Sequence, residues 1–417
     1  MTPANAPVSV FRARFARRAL LKAGAAASLS WCSLAQQPLL PDSRHLVSTP
    51  EKRAAYLQGL LRALCTDIGP RLACTEACEK GAQIVKREME KALPEVRLDS
   101  FAITGWALEG DQQLRIGDRQ LETYVAQYGP GTPAGGLRGV VRKEGDRYLI
   151  VEKASRRALA NIDLGPFGPA VASSYRSGDG LPRFSVGRQE IPLLDRAAKE
   201  NLPVFARALV RRIPNCMTSN VVGTLPGDSR DEILYVAHAD TVYVSPGASD
   251  NTASMITMLM LAHGFSGTRP RRTLTFVAST AEEGGSKGAQ HYALTRKRER
   301  TLDRVKVCVN LDSLTYGPNF QITTTDRELQ KMILDVHRDL GIRADPRIIE
   351  RDDTMDSAPF GAAGARTVHL NSRGHDARTL PLNHRPDDTA ETIDPDLVEA
   401  SYRILMEFTR RLDAMQL

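Results

Sequence analysis

Glu232-Ile233-Leu234-Tyr235-Val236-Ala237-His238-Ala239-Asp240 decides how this chain folds. A short apolar run ends abruptly on an imidazole and a carboxylate, which reads as a buried strand with a polar tip. The same pattern returns twice. Arg272 to Ala278 leads to Glu282-Glu283, and Val305 to Leu311 leads to Asp312. Between and after these strands lie stretches with helical spacing of apolar residues: Thr252 to Gly264, Ser286 to Arg300, Arg327 to Leu340 and, after a strand over Ala365 to Leu370, Pro395 to Leu412. Alternating strands and helices predict an α/β fold, a mostly parallel mixed sheet with helices on both faces. In such sheets a ligand site lies beyond the carboxyl ends of the strands. That is where His238, Glu282-Glu283 and Asp312 fall.

Working outward, Glu51 to Leu64 and Glu76 to Leu93 also read as helices, joined through Asp67-Ile68-Gly69-Pro70-Arg71. From 96 to 215 the texture changes to short strand-like pieces broken by turns such as Gly129-Pro130-Gly131-Thr132-Pro133. With 417 residues the chain is long enough for two folding units. The expected division is a leader over 1–35, a catalytic domain from 48–95 and 216–417, and an inserted β-rich, lid-like region over 96–215.

The formal charge of +7 is concentrated in the leader. Residues 1–35 hold Arg12, Arg14, Arg17, Arg18 and Lys22 and no acid, so without these five charges +7 falls to +2. No basic patch with interleaved aromatics remains, which argues against a nucleic-acid partner. Arg17-Arg18 precedes a weakly apolar stretch, Ala23 to Leu34, with a small-residue site at Ser33-Leu34-Ala35. This reads as a twin-arginine export signal, hence a periplasmic or secreted protein. The stretch falls well short of the ~20 residues that span a bilayer, so no stable membrane insertion is expected. Past the leader, Cys65, Cys74, Cys78, Cys216 and Cys308 remain. Cys74 and Cys78 are candidates to pair with each other or with Cys65, Cys308 reads as a buried thiol, and no Cys-x-x-Cys pair suggests a cysteine zinc site.

The chemistry is carried by His238, Asp250, Glu283, Asp312 and His384, with Glu282 beside the third. Two histidines and three carboxylates exceed the three or so protein ligands of a single catalytic zinc. They suit two metals sharing a carboxylate, with the spare glutamate as base, an arrangement that hydrolyses. Asp240 stands two residues after His238, where a carboxylate can fix an imidazole's tautomer. Asp250 lies in the small-residue loop Gly247-Ala248-Ser249-Asp250-Asn251 and is also placed to cap the helix that follows. Oxygen and nitrogen donors suit zinc and leave other divalent metals open.

The motif order resembles the co-catalytic zinc aminopeptidases of metallopeptidase family 28. It runs His238-x-Asp240, Gly247 to Asn251, Glu282-Glu283-Gly284, Asn310-Leu311-Asp312, then His384-x-Pro386-Asp387-Asp388-Thr389. Asn220 to Gly227 is similar too, and Ile68-Gly69-Pro70-Arg71 more weakly. The resemblance implies two Zn2+ ions, one on His238 and Asp312, the other on Glu283 and His384, with Asp250 between them. It implies Glu282 as general base, Asp240 as support for His238, and Asp356 as a second carboxylate near the last ligand. Asn383 stands where many members have a tyrosine that stabilises the oxyanion, and Ser313 where an apolar residue is usual. His369, His375 and Arg373 are candidates to line the substrate pocket. His263, His291 and His337, and Met255, Met258 and Met260, read as packing residues.

The expectation is a zinc exopeptidase acting on a peptide substrate, an aminopeptidase or a dipeptidase. A carboxypeptidase of the related family would carry its extra domain between the glutamate pair and the last histidine, whereas here it comes earlier. A glutaminyl-cyclase-like activity shares the fold, and a metal-stabilised peptide-binding protein is the non-enzyme alternative. Nothing in the sequence sets an oligomeric state.

Overall fold

The computed structural model describes residues 41–176, 178–317, 319–342, 346–372 and 380–416. The leader, Arg373 and His375 lie outside the described residues. Two helices open the fold, α1 (Pro50–Leu61) and α2 (Glu76–Ala92). Each is capped by a threonine whose hydroxyl accepts from a first-turn amide, Thr49 from Lys52 and Thr75 from Cys78. A strand-rich segment follows: β1 (Glu95–Ile116), β2 (Arg119–Gln120), β3 (Tyr124–Val125), β4 (Leu137–Glu144), β5 (Arg147–Val151), β6 (Ala158–Leu164), β7 (Arg183–Val186), α3 (Ile191–Glu200) and β8 (Pro203–Leu225). Strand and helix then alternate through β9 (Ser229–His238), α4 (Ala253–Phe265), β10 (Arg272–Ser279), α5 (Lys287–Arg298) and β11 (Val305–Leu311). The chain closes with β12 (Gln321–Thr323), α6 (Arg327–Asp339), β13 (Arg347–Ile349), α7 (Ala358–Gly361), β14 (Arg366–Asn371) and α8 (Pro395–Ala414).

The strands form one mixed sheet, ordered β13-β12-β14-β11-β9-β10-β8-β4-β5-β6-β7-β3, with β1 paired to β8 and β2 to β1. Its centre is the parallel group β14, β11, β9 and β10. Residues Ile233 to Ala237 of β9 are all fully buried, because helices cover both faces of the strand. Odd positions such as Ile233, Tyr235 and Ala237 pack with α4, α2 and α8, while Leu234 and Val236 meet Tyr292 of α5 and Phe360 of α7. Burial on both sides explains the unbroken apolar run where a one-sided sheet would alternate. Each such side chain contributes about 1.5–3 kcal/mol. Helix α4 is apolar all round, Met255, Met258 and Met260 included, since it lies between the sheet and α1, α2 and α8. The expected mixed α/β architecture is therefore what the chain adopts.

The strand-rich segment departs from the short pieces expected. β1 and β8 are 22 and 23 residues long and pair antiparallel almost throughout, with register shifts at Ile103/Gly105 and Glu109/Gln113. Their length is hidden in sequence because Glu109, Asp111, Gln112, Arg211 and Arg212 are polar and exposed or half-exposed, which erases any alternation. Helix α3 was also not expected. The outer halves of β1 and β8 join Trp106, Leu114, Val141, Ile150, Phe184 and Leu194 in a second apolar cluster, separate from that around β9. Among the described residues no helix is long and apolar enough to cross a membrane.

Candidate metal centre

Parallel pairing brings the polar strand tips together. His238 ends β9 in register with Ser279 of β10, and Asp312 follows β11 directly. Arg71, which is 1% exposed, draws in the loop that follows β9 by donating to the carbonyls of Ala239 and Pro246 and to Thr252 Oγ1. The next loop carries Asp250, whose peptide bond to Asn251 is cis. Asn251 stitches this loop to the end of β11: its Nδ2 donates to Leu311 O at 2.8 Å, and its Oδ1 accepts from Ser313 N at 2.9 Å. Asp388 holds the other side, accepting from the amides of Ser249 (2.8 Å) and Asp250 (3.1 Å). Burial pushes the Asp388 carboxyl up to about 7 despite these bonds.

His238, Asp250, Glu282, Glu283, Asp312 and His384 converge at this edge. His238 Nε2 lies 3.2 Å from Asp250 Oδ1 and 3.8 Å from Asp312 Oδ1. His384 Nε2 lies 3.2 Å from Asp250 Oδ2 and 3.3 Å from Glu283 Oε2. Asp250 thus turns one oxygen to each histidine, and the six side chains divide into His238–Asp250–Asp312 and Asp250–Glu283–His384 with Glu282 beside them. Glu282 Oε2 stands 3.8 Å from His238 Nε2. In a tetrahedral zinc site with legs of ~2.0–2.1 Å, neighbouring donors are about 3.3 Å apart. The spacings of Asp250 to both histidines and of Glu283 to His384 match that figure, and His238–Asp312 is wider at 3.8 Å.

The ring hydrogen bonds point the same way. His238 Nδ1 faces the backbone carbonyl of Asp240 at 3.0 Å, and His384 Nδ1 that of Ala172 at 2.8 Å. A neutral ring that gives its Nδ1 proton to a carbonyl presents a bare lone pair at Nε2. Here both lone pairs aim at carboxylates, which repels unless a cation, proton or metal, lies between. Glu283 Oε1 is buried with no hydrogen-bond partner among the described residues, a further oxygen suited to a cation. Burial disfavours the charged imidazoles, yet hydrogen bonds and negative charge from Asp250, Asp312 and Glu282 raise His238 well above its ordinary range. Glu283 and Asp250 do the same for His384. Burial first, then repulsion from Glu283, Asp356 and Asp312, raises Glu282 well above the usual carboxylate range, against the pull of His238.

The remaining expected residues fall around this cluster. Asp240 is fully buried and its carboxylate accepts from the amides of Glu282 (3.1 Å) and Glu283 (3.4 Å), standing 3.8 Å from His238 Nδ1. It therefore shapes the glutamate turn while its backbone carbonyl orients His238. Burial pushes it up to about 7. Asp356 is buried behind the first triad and accepts from Ser279 Oγ. Asn383 donates its amide to Asp250 and, at 3.2 Å, to Tyr316 Oη, so it holds a carboxylate of the cluster. Ser313 Oγ donates to Asp312 Oδ1 at 2.8 Å, which gives the polar substitution a purpose. His369 stands behind Asp312, with Nε2 3.8 Å from Asp312 Oδ2 and Nδ1 3.0 Å from Asp353. His375 lies outside the described residues.

Sequence reading passed over Asp388, Asn251, Asp353 and Ala172. Asp388 and Asn251 sit inside motifs already marked, and their buried amide partners appear only in three dimensions. Ala172 contributes a backbone oxygen, for which no side-chain signal exists. The strand-rich segment makes two more contacts here, as Ser174 Oγ and Gln127 Nε2 both donate to the carbonyl of Glu283.

A mixed sheet with two histidines and a group of buried carboxylates at the carboxyl ends of its parallel strands is the framework of a metal-dependent hydrolase. Residues 220–409, a little under half of the chain, match the family model described as Peptidase family M28. The chain is 24% identical to aminopeptidase YwaD of Bacillus subtilis (strain 168) across 82% of this chain and 81% of that protein. It is 23% identical to carboxypeptidase Q of Mus musculus across 80% and 81%. In three dimensions it superposes on a zinc aminopeptidase from Bacillus subtilis with a TM-score of 0.67 and 20% identity, covering 90% of this chain and 96% of that one. The chain is thus a peptidase, on the fold of the zinc aminopeptidases.

Proposed function

We propose that this peptidase is an exported zinc exopeptidase that releases residues from the amino end of peptides. The observation that carries the proposal is the division of Asp250 between His238 and His384, one carboxylate oxygen to each. His238 and Asp312 would hold one zinc, Glu283 and His384 the other, and Asp250 both. Bound there, zinc makes a water molecule more acidic and polarises the scissile carbonyl. Glu282, 3.8 Å from His238 at the edge of this pocket, would take the proton of the attacking water and pass it to the leaving amine. Asp240 and Ser286 keep Glu282 in place through its amide and, at 3.4 Å, its carboxylate. Asn383 gives its amide to Asp250 and Tyr316, so it is read as holding the shared carboxylate in place.

Support for the amino-terminal direction comes from the likeness to aminopeptidase YwaD. The likeness to carboxypeptidase Q over a similar span supports a second reading, cleavage from the carboxyl end or of dipeptides. Export rests on Arg17-Arg18 and the weakly apolar stretch after it. The segment 96–215 is read as a lid that lends the site the backbone oxygen of Ala172 and side-chain donors from Gln127 and Ser174.

One experiment tests the reading. Zinc content is measured beside hydrolysis of peptides that are free, amino-blocked or carboxyl-blocked. Two zinc ions per chain and loss of cleavage on amino-blocking are expected; equal cleavage of amino-blocked peptides would sink the aminopeptidase assignment. Glu282→Gln should keep both ions and lose turnover by ~10²–10⁴-fold.

A further inference from the structure

Five cysteines lie among the described residues, all as free thiols, and two of them meet. Cys74 is in the turn between Arg71 and α2, with a left-handed backbone (φ 72°). Cys216 is in β8, opposite Ile103 of β1, next to the register shift where Asn215 is also left-handed (φ 52°). The two side chains converge over Gly105. A β-carbon placed at Gly105 would sit 3.1 Å from Cys74 Cβ, 3.2 Å from Cys216 Cβ and 3.3 Å from Cys74 Sγ. Glycine thus leaves the room that the thiol pair fills. Cys216 Sγ also donates to the carbonyl of Cys74 at 3.6 Å. Burial, then the hydrogen bond and charge of the Cys216 thiol, hold the Cys74 thiol well above its ordinary range.

The other cysteines are occupied elsewhere. Cys78 is buried on α2, its sulfur 3.4 Å from Thr280 Oγ1 and 4.0 Å from Thr218 Oγ1. Cys65 and Cys308 lie in the interior. Cys74 and Cys216 are only partly buried, within reach of a small oxidant.

We propose that Cys74 and Cys216 are a redox-active pair that closes to a disulfide in an oxidising compartment and staples the base of the strand-rich segment. The bond would join residues 142 positions apart, one ahead of that segment and one inside it, in β8. It would fasten the segment beside Arg71, which holds the loop of the metal cluster. With oxidised glutathione as oxidant, one cysteine thiolate attacks the glutathione disulfide, forms a mixed disulfide and expels one glutathione thiol. The second thiolate then attacks the protein sulfur, forms the Cys74–Cys216 bond and expels the other glutathione thiol. The protein loses two protons and two electrons; glutathione disulfide gains both as two thiols.

The test uses the full chain, reduced and then incubated with oxidised glutathione, alkylated, and digested without reductant for mass spectrometry. A linked peptide pair containing Cys74 and Cys216 is expected, with Tm raised on the order of 5 °C and restored by dithiothreitol. Cys216→Ser should abolish the link, leave peptide hydrolysis unchanged, and let Cys74 retain one glutathione as a stable adduct. Alkylation of both cysteines after oxidation, or a link from Cys74 to Cys78, would overturn the proposal.

Discussion

The two halves of this sheet treat polarity in opposite ways. In the parallel half, β9, β10 and β11 carry buried apolar runs, Ile233 to Ala237, Phe276 to Ala278 and Val307 to Val309, and deliver polar groups at their carboxyl ends, where His238 and Asp312 stand. In the antiparallel half, β1 and β8 scatter charge along exposed faces, and what reaches the cluster is a carbonyl oxygen from Ala172, an amide from Gln127 and a hydroxyl from Ser174. Parallel strands buried by helices on both faces leave only their ends to face solvent, so chemistry gathers there. Antiparallel strands keep a wet face and can offer backbone groups at any point along the chain. One half therefore supplies the side chains of the cluster, and the other supplies the surface that holds them.

This contrast can be broken by substitution. The largest effect belongs to the carboxylate shared by both triads: Asp250→Ala should lower kcat/KM by about 10³-fold or more and weaken zinc at both positions, read by kinetics and chelator competition. If one ion stays as tightly bound as before, Asp250 does not serve both. Next comes the support behind Asp312. Asp353 holds His369 at 3.0 Å, bonds Asn310 at 3.2 Å and accepts from Ser357 Oγ at 2.6 Å. Asp353→Asn should cost ~10–100-fold in zinc affinity or activity, as loss of an outer partner does. Unchanged affinity would make His369 a packing residue only.

Acid should then separate the halves by stability. Residues 95–225 contain no histidine, whereas His263 and His337 are buried against the apolar core of the parallel half. Burial lowers each to about 4, from 6.5 in the unfolded chain. The unfolded chain therefore takes up the proton first, and stability falls as pH drops from about 6.5 toward 4. Each group should cost about 2 kcal/mol between pH 7 and pH 5. His337 has no hydrogen-bond partner among the described residues, so His337→Phe at saturating zinc should shrink the pH-dependent shift in unfolding free energy by about that amount. An unaltered shift would place the acid sensitivity elsewhere. The smallest effect on catalysis belongs to the antiparallel half. Gln127→Ala removes the donor to Glu283 O and strands the amide of Tyr243, whose oxygen partner is Gln127 Oε1 at 3.2 Å. It should cost about 1–3 kcal/mol of stability and less than about tenfold in kcat/KM. A loss as large as that of Asp250→Ala would mean that the segment takes part in reaction and not only in support.

How much could be read from sequence follows the same divide. His238 and Asp312 were legible because each closes an apolar strand, and Glu282-Glu283 because the pair follows one, and a charge in such a place demands a reason. β1 and β8 were not legible at full length, because their pairing joins residues as far apart as Glu95 and Thr224 and their faces mix charge with apolar groups. Asn383 looked like a gap in the oxyanion machinery when seen beside His384; folded, its amide is bound to Asp250. His369 was marked for a substrate pocket and stands behind Asp312 instead, because β14 runs parallel beside β11.

Local chemistry in the chain determined the strands, the helices and the identity of the reactive side chains, since burial and charge act on each residue wherever it ends up. Only the tertiary structure decided which oxygen of Asp250 faces which histidine, that Asp240 and Asp388 bind backbone amides, and that Cys74 lies against Cys216. Those pairings depend on the register of strands and on loops brought together across the fold, and distance along a sequence carries no record of distance in space.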